Sequence, residues 1–333
     1  MPFARLFQPC IRPCLRLCLR LAVLLAALCA VAPAAHADAT ATPVQGETFR
    51  LQLAGEGAPA ADAPDPNAGT VQFIGTATVI IRYQGFTILT DPNFLHKGEH
   101  VHLGYGLTSE RRTNPAIRFD ELPPIDLVVL SHFHGDHFDQ LVQEKLNRAT
   151  PIVTTKEGGE RLKRHGFTRT FGLSTWDRLE VSKGASRLRV TATPARHGPA
   201  GVAVLLPKVM GSVLDFGLDP AVPDYRMYIS GDTLVYDDIR AIPQRFPNID
   251  LALLHLGGTR ILGVLKVTMD GKDGVRMMQV VRPKKTVPIH YNDYDVFKSP
   301  LEDFAHEVKA AGLEKDVIYL AHGETYSFTR VAR

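Results

Sequence analysis

From Thr70 onward, apolar residues recur in two rhythms. Period-two runs at 71–74, 78–83 and 86–90 predict three successive strands, the last two joined as a hairpin across Gln84-Gly85. The run 127–130 is short and wholly apolar, as expected of a strand covered on both faces. Helical spacing follows at 139–148 and 157–165. Further strands are predicted at 151–154, 187–193, 201–206, 226–230, 250–255, 285–290 and 316–320. Further helices are predicted at 235–245, 271–281 and 300–311. Strands first, then strand–helix alternation, repeated in two halves, gives an α/β class with mixed sheets and helices packed outside them. The segment 91–125 has no clear period and exceeds the usual loop length, which marks it as a substrate-facing loop. It carries His96, His100, His102, Tyr105, Arg111 and Arg112.

Before Thr70 the pattern breaks down. Residues 38–69 are rich in Ala, Pro, Gly and Asp and read as an irregular leader, in which only Phe49, Leu51 and Leu53 alternate as one short strand. Residues 1–37 read as a secretory signal peptide. Arg5, Arg12, Arg16 and Arg20 precede an apolar run from Leu21 to Ala32, and Ala35-His36-Ala37 offers a small-x-small cleavage site. That run is about 12 residues, short of the roughly 20 that span a bilayer. Cleavage after Ala37 leaves a mature chain with no membrane span, periplasmic or secreted, whose folded domain covers 70–333. A retained membrane anchor is the alternative reading.

Removing that segment changes the chemistry available. All 4 cysteines (Cys10, Cys14, Cys18 and Cys29) lie within it, so the mature chain has no disulfide, no thiolate ligand and no cysteine nucleophile. The formal charge of +3 also disappears, leaving 34 basic against 35 acidic residues. A near-neutral chain gives no electrostatic case for nucleic acid.

The remaining chemistry gathers on histidine and aspartate. Ser131-His132-Phe133-His134-Gly135-Asp136-His137 directly follows the apolar strand at 127–130. Imidazole and carboxylate at this density suit a divalent metal, whether zinc, manganese or iron. In extended chain, residues two apart point the same way, so His132 and His134 can share a target. Gly135 allows a tight turn that brings Asp136 and His137 back to it. Four donors in six residues exceed what one open tetrahedral zinc takes, so two metals are expected. His197, Asp232 and His290 each follow a predicted strand, where an α/β sheet collects its site residues.

In this order, the run His132 to His137 with His197, Asp232 and His290 resembles the metallo-β-lactamase superfamily. Thr90-Asp91-Pro92 and Ser230-Gly231-Asp232-Thr233 match it too, and the likeness covers about residues 70–328. Within it the chain looks similar to the branch of N-acyl-phosphatidylethanolamine phospholipase D and L-ascorbate-6-phosphate lactonase. Gly75-Thr76-Ala77-Thr78, Leu122-Pro123-Pro124-Ile125-Asp126, Thr268-Met269-Asp270, Ile289-His290 and Ala321-His322-Gly323-Glu324 carry that likeness. The resemblance implies a four-layer αβ/βα sandwich. It implies that His132, His134 and His197 hold a first zinc, that Asp136, His137 and His290 hold a second, and that Asp232 bridges them. Asp91 corresponds to a carboxylate that fixes a histidine ring from behind. The nucleophile would be a hydroxide shared by the metals and aimed by Asp136.

The fold does not name the bond that is cleaved. A small-molecule or lipid-derived substrate is expected, with phosphodiester or phospholipid-like esters first and lactones as the alternative. A non-catalytic periplasmic metal-binding module is the alternative of another class. Arg196 and Arg260 are candidates to meet an anionic group, and His255 and His322 to protonate a leaving alkoxide. The chain departs from the phospholipase at Thr268, where that enzyme has a histidine.

Overall fold

The structure is a computed structural model that describes residues 46–55, 67–104, 106–217, 222–261 and 263–330. The signal segment and Tyr105 lie outside the described residues. In chain order the strands begin with β1 (Thr48–Leu53), β2 (Ala68–Gly75), β3 (Thr78–Tyr83), β4 (Phe86–Thr90) and the short pair β5 (His100–His102) and β6 (Thr108–Glu110). Next come β7 (Leu127–Val129), β8 (Ile152–Thr155), β9 (Thr170–Leu173), β10 (Arg178–Lys183), β11 (Ser186–Thr193), β12 (Gly211–Phe216) and β13 (Tyr225–Ile229). The last are β14 (Leu251–His255), the pair β15 (Arg260–Ile261) and β16 (Leu265–Lys266), β17 (Lys285–Ile289) and β18 (Thr325–Thr329). The helices are α1 (Gln140–Lys145), α2 (Lys156–Arg164), α3 (Ala241–Arg245), α4 (Gly271–Val281) and α5 (Leu301–Ala311).

Two seven-stranded sheets result, ordered β1-β10-β11-β12-β13-β14-β17 and β18-β2-β3-β4-β7-β8-β9. Side chains alternate faces along a strand, which is why the apolar runs are continuous. Leu127 and Val129 meet Leu251, Leu253 and Val287 between the sheets. Val128 and Leu130 point outward, onto Val142 of α1 and Leu162 of α2. Ala252 and Leu254 point outward onto Met277 and Met278 of α4 and Phe304 of α5. The result is the four-layer αβ/βα sandwich. Among the described residues no helix is long and apolar enough to cross a membrane.

The Gln84-Gly85 hairpin forms as expected, with φ of 49° and 76° at its two residues. Three expectations change. The sheet begins inside the segment read as leader: β1 pairs in parallel with β10 along its whole length, and Leu51 is buried in the inter-sheet core. Next, the run 201–206 is no strand but a loop with a single turn at Ala203–Leu205. Pro199 and Pro207 bracket it, and Val204 and Leu205 stay exposed while the following segment supplies β12. Finally, 316–320 adds only a bridge from Val317 to Thr286, and β18 closes the other sheet instead.

Candidate metal centre

β4 and β7 run parallel, as do β13, β14 and β17, and β11 is antiparallel to β12, which is antiparallel to β13. The C-terminal ends of β4 and β7 thus meet at one edge of their sheet, and those of β11, β13, β14 and β17 at one edge of theirs. Asp91, the loop 131–137, His197, Asp232 and His290 follow these ends within a few residues. Folding therefore brings together residues up to 200 positions apart in sequence by ordinary sheet topology.

Two donor groups form there. His132, His134 and His197 offer one nitrogen each within 4.8 Å of one another, and a carboxylate oxygen each of Asp136 and Asp232 with a nitrogen each of His137 and His290 lie equally close together. The atoms facing inward lack protein partners. Nε2 of His132, His137 and His290 and one carboxylate oxygen each of Asp136 and Asp232 are buried without a hydrogen bond. Orphaned buried polar atoms are costly unless something else satisfies them. His137 Nε2 lies 3.4 Å from Asp232 and 3.7 Å from Asp136, and His290 Nε2 lies 3.5 Å from Asp232 and 3.4 Å from Asp136. Those spacings exceed hydrogen bonds but match the edge of a tetrahedron whose corners lie about 2.0–2.1 Å from a zinc. The donor set fits a two-metal site.

The opposite side of each ring is held. Nδ1 of His197 faces the Val267 carbonyl at 2.9 Å and that of His290 the Leu256 carbonyl at 3.1 Å. Nδ1 of His132 faces Ser131 Oγ at 3.0 Å and that of His137 faces Asp91 at 3.0 Å. His134 is reversed: its Nε2 meets the Leu103 carbonyl at 2.7 Å, leaving Nδ1 toward the centre, 3.4 Å from Asp136. Such contacts set tautomer and ring orientation. Asp232 accepts from Thr268 Oγ1 at 2.9 Å, so the residue that departs from the phospholipase pattern steadies the carboxylate expected to bridge.

Asp91 lies behind the candidate donors, in contact with His137 and His255. One oxygen accepts from Ser131 N at 2.6 Å, while the other meets Ser131 Oγ, His137 and His255 at 2.8 to 3.1 Å. Burial raises its pKa, but His137 and His255 outweigh burial and bring it down to about 2. In the metal-free centre burial lowers the pKa of His132, and that of His197 falls to about 4. Burial works the same way on His137 and His290, yet the aspartates overcome it and raise both.

Three candidates fall elsewhere, and a fourth, Arg260, reaches only the cavity's rim. His255 is buried with Nε2 on Asp91 and Nδ1 3.2 Å from Ser230 Oγ, so it supports Asp91 rather than protonating a leaving group. His322 lies 3.3 Å from Asp293 and packs edge-on against Phe73, away from the cavity above the centre. Arg196 stacks over Tyr236 at 4.2 Å and does not line that cavity either.

The cavity has a volume of about 1150 Å³, with His134, Asp136, His197 and Asp232 among its lining. Leu103, Leu107, Phe133, Leu206, Leu265 and Val267 supply aliphatic and aromatic wall. The loop 91–125 contributes His102, Leu103, Gly104, Leu107 and Thr108 to this lining, although Arg111 is buried on Asn93 and Arg112 pairs with Asp295. Gly135 serves a close approach rather than a positive φ: a Cβ there would stand 2.5 Å from the His102 carbonyl. Arg161 of α2 also lines the cavity, and sequence reading missed it because nothing in a helical run marks which cation will face a site built from other segments.

Residues 86–291 match the model of the beta-lactamase superfamily domain. A UPF0173 metal-dependent hydrolase of Archaeoglobus fulgidus is 28% identical over 205 residues, 62% of this chain and 83% of that protein. One from Thermus thermophilus is 29% identical over 246 residues, 73% and 93% of the two chains. In structure, an isothiocyanate hydrolase from Delia radicum gut bacteria shares the fold at a TM-score of 0.66 and 22% identity, across 78% of this chain and 99% of that one. The chain belongs to the metallo-β-lactamase superfamily, as one of its metal-dependent hydrolases.

Proposed function

We propose that the chain is an exported di-zinc hydrolase that cleaves esters with an apolar body, phosphodiester or phospholipid-like esters first among them. The observation that carries this reading is the cavity itself: His134, Asp136, His197 and Asp232 share it with a group of aliphatic side chains, Leu103, Leu107, Leu206, Leu265 and Val267 among them, alongside polar ones. Two zinc ions held by the two donor groups would supply Lewis acidity and a water that ionises near neutral pH. The chain's own residues do the rest. The pinned rings keep their donor nitrogens aimed without rearrangement, and Thr268 holds Asp232 in place. Asp136, with one carboxylate oxygen free of protein partners, is placed to orient the attacking water and take its proton. Apolar walls around it exclude water and select the substrate's body.

The same walls suit an acylated lactone, which is the second reading. The likeness to the phospholipase and lactonase branch supports this pair over other esters. The assay compares bis(p-nitrophenyl) phosphate with a long-chain N-acyl homoserine lactone on zinc-loaded protein; turnover of neither overturns both. Asp136→Ala should lower turnover at least about 100-fold. Full activity in that variant would overturn the metal-hydroxide mechanism, whereas metal binding without turnover of either substrate would favour a non-catalytic metal-binding module. Export is supported by the arginine-bearing start, the apolar run and Ala35-His36-Ala37. N-terminal sequencing of protein recovered from a bacterial periplasm should begin at Asp38.

A further inference from the structure

α2 lies tight against the sheet because two glycines let it. A Cβ on Gly172 would stand 2.9 Å from Lys156 Cα, and one on Gly159 3.4 Å from Gly172 Cα. Held there, the helix turns Glu157, Arg161 and His165, each four residues apart, along one side of the cavity. Arg161 is bonded to the metal-bearing loop: its Nη1 donates to the Phe133 carbonyl at 3.1 Å, between His132 and His134. Its guanidinium lies 4.5 Å from the Phe133 ring centre, and His165 stacks on that ring at 5.3 Å. Glu157 is engaged by the Lys208 amide at 3.1 Å. Among the described residues no carboxylate comes within ion-pair distance of Arg161, and its other N–H groups have no protein acceptor.

Arg161 is only partly buried, Glu157 one turn away acts on its charge through space, and no carboxylate closes on it, so its remaining N–H groups are open to an incoming anion. A guanidinium has five donors in a planar fork, matched to a carboxylate, phosphate or sulfonate. We propose that Arg161 forms an anion subsite, separate from the metal ligands. The substrate accordingly carries an anionic group joined by an apolar segment to the bond that is cleaved. Calling the ligand a substrate rests on the hydrolase reading above; the subsite itself does not. Neither Arg196, outside the cavity, nor Arg260, at its exposed rim, offers an equivalent position.

Calorimetric titration of the zinc-loaded protein with octane-1-sulfonate and with octan-1-ol tests this, because the two share a chain and differ in charge. The sulfonate should bind at least about tenfold more tightly. Arg161→Gln should erase that preference, and Arg161→Lys should keep part of it. Equal affinity of the two probes for the native protein overturns the subsite, as does a preference that survives in Arg161→Gln, which would put the anion on the metals or Arg260. If Arg161→Gln loses zinc, Arg161→Lys with zinc retained decides, and loss of the preference there overturns the proposal. Sulfonate preference without ester or lactone turnover would leave the subsite standing and remove the hydrolytic reading. Turnover without sulfonate preference would do the reverse.

Discussion

Asp91 and His290 sit at φ of 33° and 62°, in the left-handed region that non-glycine residues rarely occupy. Both stand where a strand ends and the chain must swing a side chain into the centre, and strain of this kind concentrates at functional sites. Asp91 matters because one carboxylate oxygen serves three donors, which an amide replaces poorly. Asp91→Asn should weaken zinc binding about 10–100-fold, measured by competition with a chelator; unchanged affinity would mean the His137 ring is fixed by packing alone. The imidazoles also dictate a pH signature for the metal-free protein. His132, His197 and His255 have lowered pKa values, so their contribution is lost as pH falls below the free imidazole value. His137 and His290 have raised values, so theirs is lost as pH rises through them. Thermal melts in chelator between pH 5 and 9 should therefore show a maximum near the ordinary imidazole pKa of about 6.5. A melting temperature that rises steadily across that window would contradict the assignment. The candidate donors were legible because seven histidines and aspartates follow strands in a recognisable order, and the fold gathers them into two clusters. His255 and His322 were misjudged because whether a ring reaches a cavity depends on its neighbours, here Asp91 with Ser230, and Asp293 with Phe73.

At the scale of elements, period and apolar content located most strands and the two long helices, since alternating burial is written directly into strand sequences. The strands β9, β10 and β12 were missed, and β1, read as an isolated strand, turns out to have its partner far along the chain. β1 looks like a fragment of leader until β10 is set beside it, 130 residues away in the chain. Its removal is a stability test: a chain begun at Asn67 should lose at least the ~1.5–3 kcal/mol of Leu51's burial relative to one begun at Gln45, by urea unfolding. Equal stability would show that β1 is a passive edge. The run 201–206 has the composition of a strand, yet no strand edge is available to it. Its apolar side chains instead face the cavity, where Val202, Val204, Leu205 and Leu206 form part of the wall.

For the whole molecule, the centre is a junction. The loop 131–137 belongs to one sheet, whereas His197, Asp232 and His290 belong to the other. A metal held by both donor groups therefore ties the two halves of the sandwich together. Binding of this kind stabilises by about 4 kcal/mol per site at a thousandfold excess over Kd. Zinc should raise the melting temperature by several degrees over chelator-treated protein, and His290→Ala should reduce that response. A response that His290→Ala leaves intact would place the metal away from this junction. By itself the sequence determined the α/β class, many of the elements and a set of candidate metal-binding residues, because burial period and donor chemistry are local properties of the chain. Only the tertiary structure decided which polar groups support the donors, which histidines are excluded from the cavity, and that Arg161 faces it. Those outcomes depend on which surfaces the two sheets and α2 bring into contact, and no stretch of the chain carries that information alone.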